Sequence, residues 1–77
     1  MEYIVLEELT DDRVAYRYYP EGGSEYGVVS LMRKTGELIH DKPCPDSIFM
    51  YVEHAWQRLE EYQEKGNFPE KGMIAWY

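Results

Sequence analysis

The sequence predicts an α+β fold: an antiparallel sheet of four to five strands, in the order ββββαβ, with one long amphipathic helix packed on one face. Three observations predict it. Short runs rich in β-branched and aromatic residues, separated by turn signals, fill the chain up to Lys42. One stretch, DSIFMYVEHAWQRLEEYQEKG, places its apolar residues at helical spacing. A last apolar run, MIAWY, follows it. With 77 residues the chain has room for one domain, spanning residues 1–77.

The first strand is expected over Tyr3–Leu9, where Tyr-Ile-Val-Leu suits a pleated surface. Thr10-Asp11-Asp12-Arg13 supplies a turn, and Val14–Tyr19 forms the second strand. A hairpin closing around Asp11-Asp12 pairs Leu9 with Val14, Glu7 with Tyr16 and Val5 with Tyr18. One face then carries Tyr3, Val5, Leu9, Val14, Tyr16 and Tyr18, and the other Ile4, Leu6, Ala15, Arg17 and Tyr19. Neither face is polar, unlike a sheet with one wet side.

Pro20–Glu25 reads as a loop, and Tyr26–Met32 as the third strand, with Gly27 marking a bulge or a close approach. Lys34-Thr35-Gly36 fits a three-residue hairpin loop with Gly36 left-handed. That loop pairs Arg33 with Glu37, Met32 with Leu38 and Leu31 with Ile39. The fourth strand, Glu37–Asp41, must stop before Pro43 and Pro45.

The helix is expected from Asp46 to Gly66. Its apolar stripe is Ile48, Phe49, Val52, Ala55, Trp56, Leu59 and Tyr62, and its wet face is Glu53, Gln57, Glu60, Glu61 and Glu64. Asp46 suits the N-cap and Gly66 a left-handed C-terminal position. Phe68 is placed to fold back on the last turn. Met73–Tyr77 forms the fifth strand. It can lie antiparallel beside the first strand, giving 5-1-2-3-4, or parallel beside the fourth through a right-handed crossover; the first is preferred.

Composition narrows the function classes. At 44% hydrophobic and 16% aromatic, the chain has apolar surface to bury and is not disordered. Fifteen acidic residues against eight basic give a net charge of −7, which repels nucleic-acid backbones and suits a basic protein partner. Cys44 is the sole cysteine, so no internal disulfide forms, in keeping with a reducing cytoplasm. MEYIVLEEL lacks the basic start of a secretory signal, and no apolar run approaches membrane-spanning length.

No motif specifies a reaction. Cys44 precedes a helix but has no defined base. His40, Cys44 and His54, spaced H-x3-C-x9-H, lack the tight local ligand pairs of zinc sites. Glu7-Glu8, Asp11-Asp12 and Glu60-Glu61 read as solvated carboxylates rather than an acid/base pair in a cleft. Gly22-Gly23-Ser24 lacks the lysine and the following helix of a phosphate loop. No catalytic residue, cofactor or metal is therefore expected.

The tyrosines carry the functional expectation. One helix about 10 Å across covers about half the width of such a sheet, leaving apolar side chains on the far face. That face should meet another surface, and a second copy is the simplest one. The expected contact surface is Tyr3, Val5, Tyr16, Arg17, Tyr18, Tyr19 and Trp76. Tyrosine and arginine suit such surfaces because they join large apolar area to a polar tip. The expectation is a non-enzymatic, homodimeric protein-interaction domain. The alternatives are an acidic inhibitor that occupies a basic nucleic-acid-binding protein, and a small-molecule binding module on the aromatic face.

Overall fold

A computed structural model describes residues 1–75. Its elements are β1 (Glu2–Leu9), β2 (Arg13–Pro20), β3 (Gly27–Met32), β4 (Leu38–Lys42), α1 (Met50–Lys65) and β5 (Lys71–Ile74). The strands form one antiparallel sheet in the order β4-β3-β2-β1-β5, with α1 packed on one face. β5 therefore lies beside β1, the preferred of the two positions. It starts two residues earlier than expected, and the expected strand residues Trp76 and Tyr77 lie outside the described residues.

The first hairpin turns where expected, with Leu9 opposite Val14. Thr10 closes it: the Arg13 backbone N–H donates to Thr10 Oγ1 at 2.9 Å. Beyond Glu8 the expected register fails. A bulge at Glu7 shifts the ladder by one, so Leu6 faces Tyr16, Ile4 faces Tyr18 and Tyr3 faces Tyr19. Side chains alternate strictly along a strand, so this single residue exchanges the faces of β1 from Leu6 back to Glu2. Ile4 and Leu6 join Val14, Tyr16 and Tyr18 under the helix, while Tyr3 and Val5 join Ala15, Arg17 and Tyr19 on the open side.

The second hairpin also departs from expectation by one residue. Leu31 pairs with Leu38 and Ser30 with Ile39, because Arg33–Gly36 forms a four-residue loop. In this loop the Gly36 N–H donates to the Met32 carbonyl at 2.7 Å and the Met32 N–H to the Glu37 carbonyl at 2.8 Å.

The helix begins at Met50, four residues after the expected start, and Asp46 does not cap it. Pro43 and Pro45 keep the linker non-helical. The Cys44 N–H donates to the Tyr18 hydroxyl at 3.2 Å and ties that linker to the sheet. Asp46, at φ 57°, sits in a left-handed turn position after Pro45. With the start moved, Ile48 and Phe49 leave the expected stripe and are 58% and 54% exposed. The buried face is Tyr51, Val52, Ala55 and Leu59. The end is as expected. Gly66 is left-handed at φ 72°, its N–H reaches the Gln63 carbonyl, and the Asn67 N–H reaches that of Tyr62, a Schellman closure. Phe68 folds back against Tyr62, ring to ring at 6.3 Å.

Two tyrosines knit helix, sheet and loops. Tyr16 is fully buried and Tyr18 1% exposed. The Tyr16 hydroxyl donates to the Pro69 carbonyl at 2.6 Å and holds the chain leading to β5. The Tyr18 hydroxyl lies 2.7 Å from His40 Nε2 while accepting from Cys44. Its ring fills the space where a side chain at Gly27 would stand, which confirms a close approach there. Glu2 is the anomaly of the core. It is fully buried on the helix side of β1, and neither carboxylate oxygen has a hydrogen-bond partner. Burial pushes its carboxyl up to about 8, against the opposing pull of the Met1 ammonium and of Arg58.

Two outcomes are expected. Gly27→Ala should destabilise the fold by about 1–3 kcal/mol in urea denaturation, because the pinned Tyr18 ring cannot yield to the new methyl group. Glu2 should make stability depend on pH. Its folded pKa lies above the ordinary 4.5, so its contribution is full below about pH 4.5 and is lost as pH rises through about 8. The unfolding free energy should fall from pH 5 to 8, by at most about 1.4 kcal/mol per pH unit, and Glu2→Gln should flatten that slope. An unchanged slope would refute the assignment.

Candidate functional site

The sheet face turned away from α1 carries two rows of side chains. Strand register sets Tyr19, Tyr3 and Met73 of the first, on β2, β1 and β5, and Tyr26, just before β3, extends it by packing on Tyr19. The second is Lys42, Val28, Arg17, Val5 and Lys71, one from each strand. Tyr3 and Met73, 42% and 52% exposed, are the most open apolar members.

Ring and polar contacts tie Tyr19, Tyr26, Arg17 and Lys42 together. Tyr19 and Tyr26 pack with ring centroids 5.4 Å apart. Lys42 Nζ lies 4.0 Å and the Arg17 guanidinium 4.6 Å from the centroid of Tyr26, so two cations share one ring. Arg17 Nε donates to Glu7 Oε1 at 2.9 Å, and this bond is the main reason its pKa stands above the ordinary value. Nearby, Arg13 bridges Glu8 and Asp41. Arg13, Arg17, Lys42 and Lys71 thus sit with Glu7, Glu8 and Asp41 on this side of a chain whose net charge is −7. The face is close to neutral, and the negative charge lies elsewhere.

Of the expected contact residues, the structure brings together Tyr3, Val5, Arg17 and Tyr19 on this face. Tyr16 and Tyr18 are not part of it: both are buried under the helix, because the Glu7 bulge separates them from Tyr3 and Val5. Trp76 lies outside the described residues. Sequence reasoning missed Tyr26, Val28, Lys42, Lys71 and Met73. One signal was available: two adjacent glutamates, Glu7-Glu8, cannot both reach water from a regular strand with one buried face.

Both outer strands are engaged by the helix. The Trp56 indole N–H donates to the Ile39 carbonyl of β4 at 3.1 Å, and Arg58 donates to the Met73 carbonyl of β5 at 3.2 Å.

The other sequence candidates are dispersed. The Cys44 thiol is buried, and burial followed by the Glu25 and Asp46 charges raises its pKa, away from a reactive thiolate. His40 is engaged with Tyr18. Among the described residues no group of three or more His, Cys, Asp or Glu side chains is placed to hold a metal ion. Glu7, Glu8, Asp12 and Glu61 pair with Arg17, Arg13, Lys34 and Arg58. Among the described residues no helix is long and apolar enough to cross a membrane. No protein-family model matches the chain, and no curated protein or solved structure shows significant similarity to it.

Proposed function

We propose that this is a non-enzymatic protein-interaction domain that forms a homodimer through the open face of its sheet, in a reducing compartment such as the cytoplasm. The observation that carries the reading is the row Tyr26–Tyr19–Tyr3–Met73, partly exposed on a face that no element of the described chain covers, with Tyr19 and Tyr26 packed ring to ring. Large aromatic side chains held in place lose little entropy on binding, which suits them to an interface core. Charge supports the same face. Elsewhere two copies of an acidic chain repel, but here Arg17, Lys42 and Lys71 alternate with Glu7 and Glu8 and can find opposite partners across a two-fold axis.

Size fits as well. Five strands at about 4.8 Å make a face about 24 Å wide, and strands of this length give it on the order of 500 Å² in projection. That approaches the roughly 600 Å² per partner of the smaller specific interfaces. The buried, unactivated Cys44 thiol is compatible with a reducing compartment.

Sedimentation equilibrium tests the proposal. The chain should be dimeric at tens of micromolar, and Tyr3→Asp, which sets a charge within the aromatic row, should weaken association at least tenfold with the circular dichroism unchanged. A wild-type chain that stays monomeric at that concentration would sink it.

A further inference from the structure

The two ends of the molecule differ. At one end Arg33 binds the loops together: its side chain donates to the Thr10 carbonyl at 2.8 Å and to Gln63 Oε1 at 3.2 Å, and its guanidinium lies 4.9 Å from the Phe68 ring centroid. At the other end the β2–β3 loop, the β4–α1 linker and the start of α1 diverge around a cleft of about 670 Å³. Tyr51 and Cys44 line it within, Pro20 and Pro45 flank it, and Glu21, Glu25 and Asp46 face it with no basic residue among its lining.

We propose that this cleft docks a segment of a partner protein in which an arginine or lysine is flanked by apolar residues. Charge complementarity selects the cation. Glu21 is engaged by the Tyr51 hydroxyl at 2.6 Å and the Met1 ammonium at 2.9 Å, but Glu25 and Asp46 have no ion-pair partner among the described residues. The three carboxylates are not grouped to hold a metal ion, so they suit a longer, flexible cationic side chain.

The apolar requirement comes from the cleft's rim. Ile48 lines the cleft and is exposed, and its chain neighbours Phe49 and Met50 continue this exposed apolar ledge away from it, Phe49 into an adjoining pocket with Tyr18 and His40; all three stay in solvent because the helix starts late. Phe49 is braced from behind by Trp56 at 5.5 Å and His40 at 6.2 Å between ring centroids, so the ledge is fixed before any partner arrives. Glu21 and Asp46 hold left-handed backbone at φ 53° and 57°, which sets the directions of the two walls. A lone cation would leave the ledge bare; a peptide segment covers both. The cleft shares no lining residue with the rows of the open sheet face, although Tyr3 touches the loop wall at Gly22, so the two proposals are separated by a variant at Met73, which is away from that loop.

Selection of a displayed random-peptide library against the full chain is the experiment, with affinities of the enriched peptides then read by fluorescence anisotropy. Enriched sequences should place arginine or lysine beside apolar residues. Their affinity should fall at least tenfold for the Glu25→Gln/Asp46→Asn double variant and for Ile48→Ser, and be unaffected by Met73→Asp on the open sheet face. These positions are exposed, and asparagine tolerates the left-handed backbone at 46, so the variants keep the fold. Failure to enrich any sequence would overturn the proposal. So would peptides lacking basic residues, or peptides that bind the variants as tightly as the parent. Peptides lost only with Met73→Asp would overturn it too, and would place binding on the sheet face instead.

Discussion

The ladder between β1 and β2 carries one more residue on β1 than on β2, and the composition of both sheet faces depends on that residue. In a regular strand running from Leu9, Glu7 would stand under the helix beside Tyr16, and a carboxylate there would lose its hydration. The bulge turns Glu7 outward to Arg17 and leaves Glu8 outward to Arg13. It draws Ile4 and Leu6 inward and sends Tyr3 and Val5 out. The same shift of phase carries Glu2 inward, where no partner awaits it. The chain thereby exchanges one buried glutamate for another, and places Ile4 and Leu6 in its core where Tyr3 and Val5 would otherwise stand. The acid it buries lies near the end of β1, beside the Met1 ammonium and Arg58.

From that phase the rest of the assembly follows. Tyr16 and Tyr18 point at the helix and spend their hydroxyls on loops, at Pro69 on one side and at Cys44 and His40 on the other. Because Tyr18 holds the linker at Cys44, the helix cannot begin at Asp46. Its late start exposes Ile48, Phe49 and Met50 and opens the cleft beneath the β2–β3 loop. The aromatic row on the far face and the ledge at the helix start are thus consequences of one register. Both are surfaces that a chain of this size leaves uncovered, since one helix cannot enclose a five-stranded sheet.

Much of the architecture was legible because it rests on local signals. Gly66 ended the helix where a left-handed residue was required, the Thr10–Arg13 turn closed where it should, and Phe68 folded back. Within the candidate site, the expected contact surface drew Tyr3 and Val5 from one face of the hairpin and Arg17 and Tyr19 from the other; the bulge is what brings these four to one face. Tyr16 and Tyr18 were not separable from them, because a period of two has no means of counting a bulge. Tyr26 and Lys42 reach the site only by the pairing of β3 with β2 and β4, which is a long-range matter.

Residue pattern alone determined the element order, the antiparallel sheet with its helix, and the presence of more aromatic surface than one helix can cover. Those follow from periodicity, caps and turn chemistry, which act over a few residues. Tertiary structure decided which aromatics are core and which are surface, where the helix starts, and that Glu2 is the buried acid. These depend on register and on contacts between distant residues, Tyr18 with Cys44 and Glu7 with Arg17, whose energies enter only when the strands are already side by side.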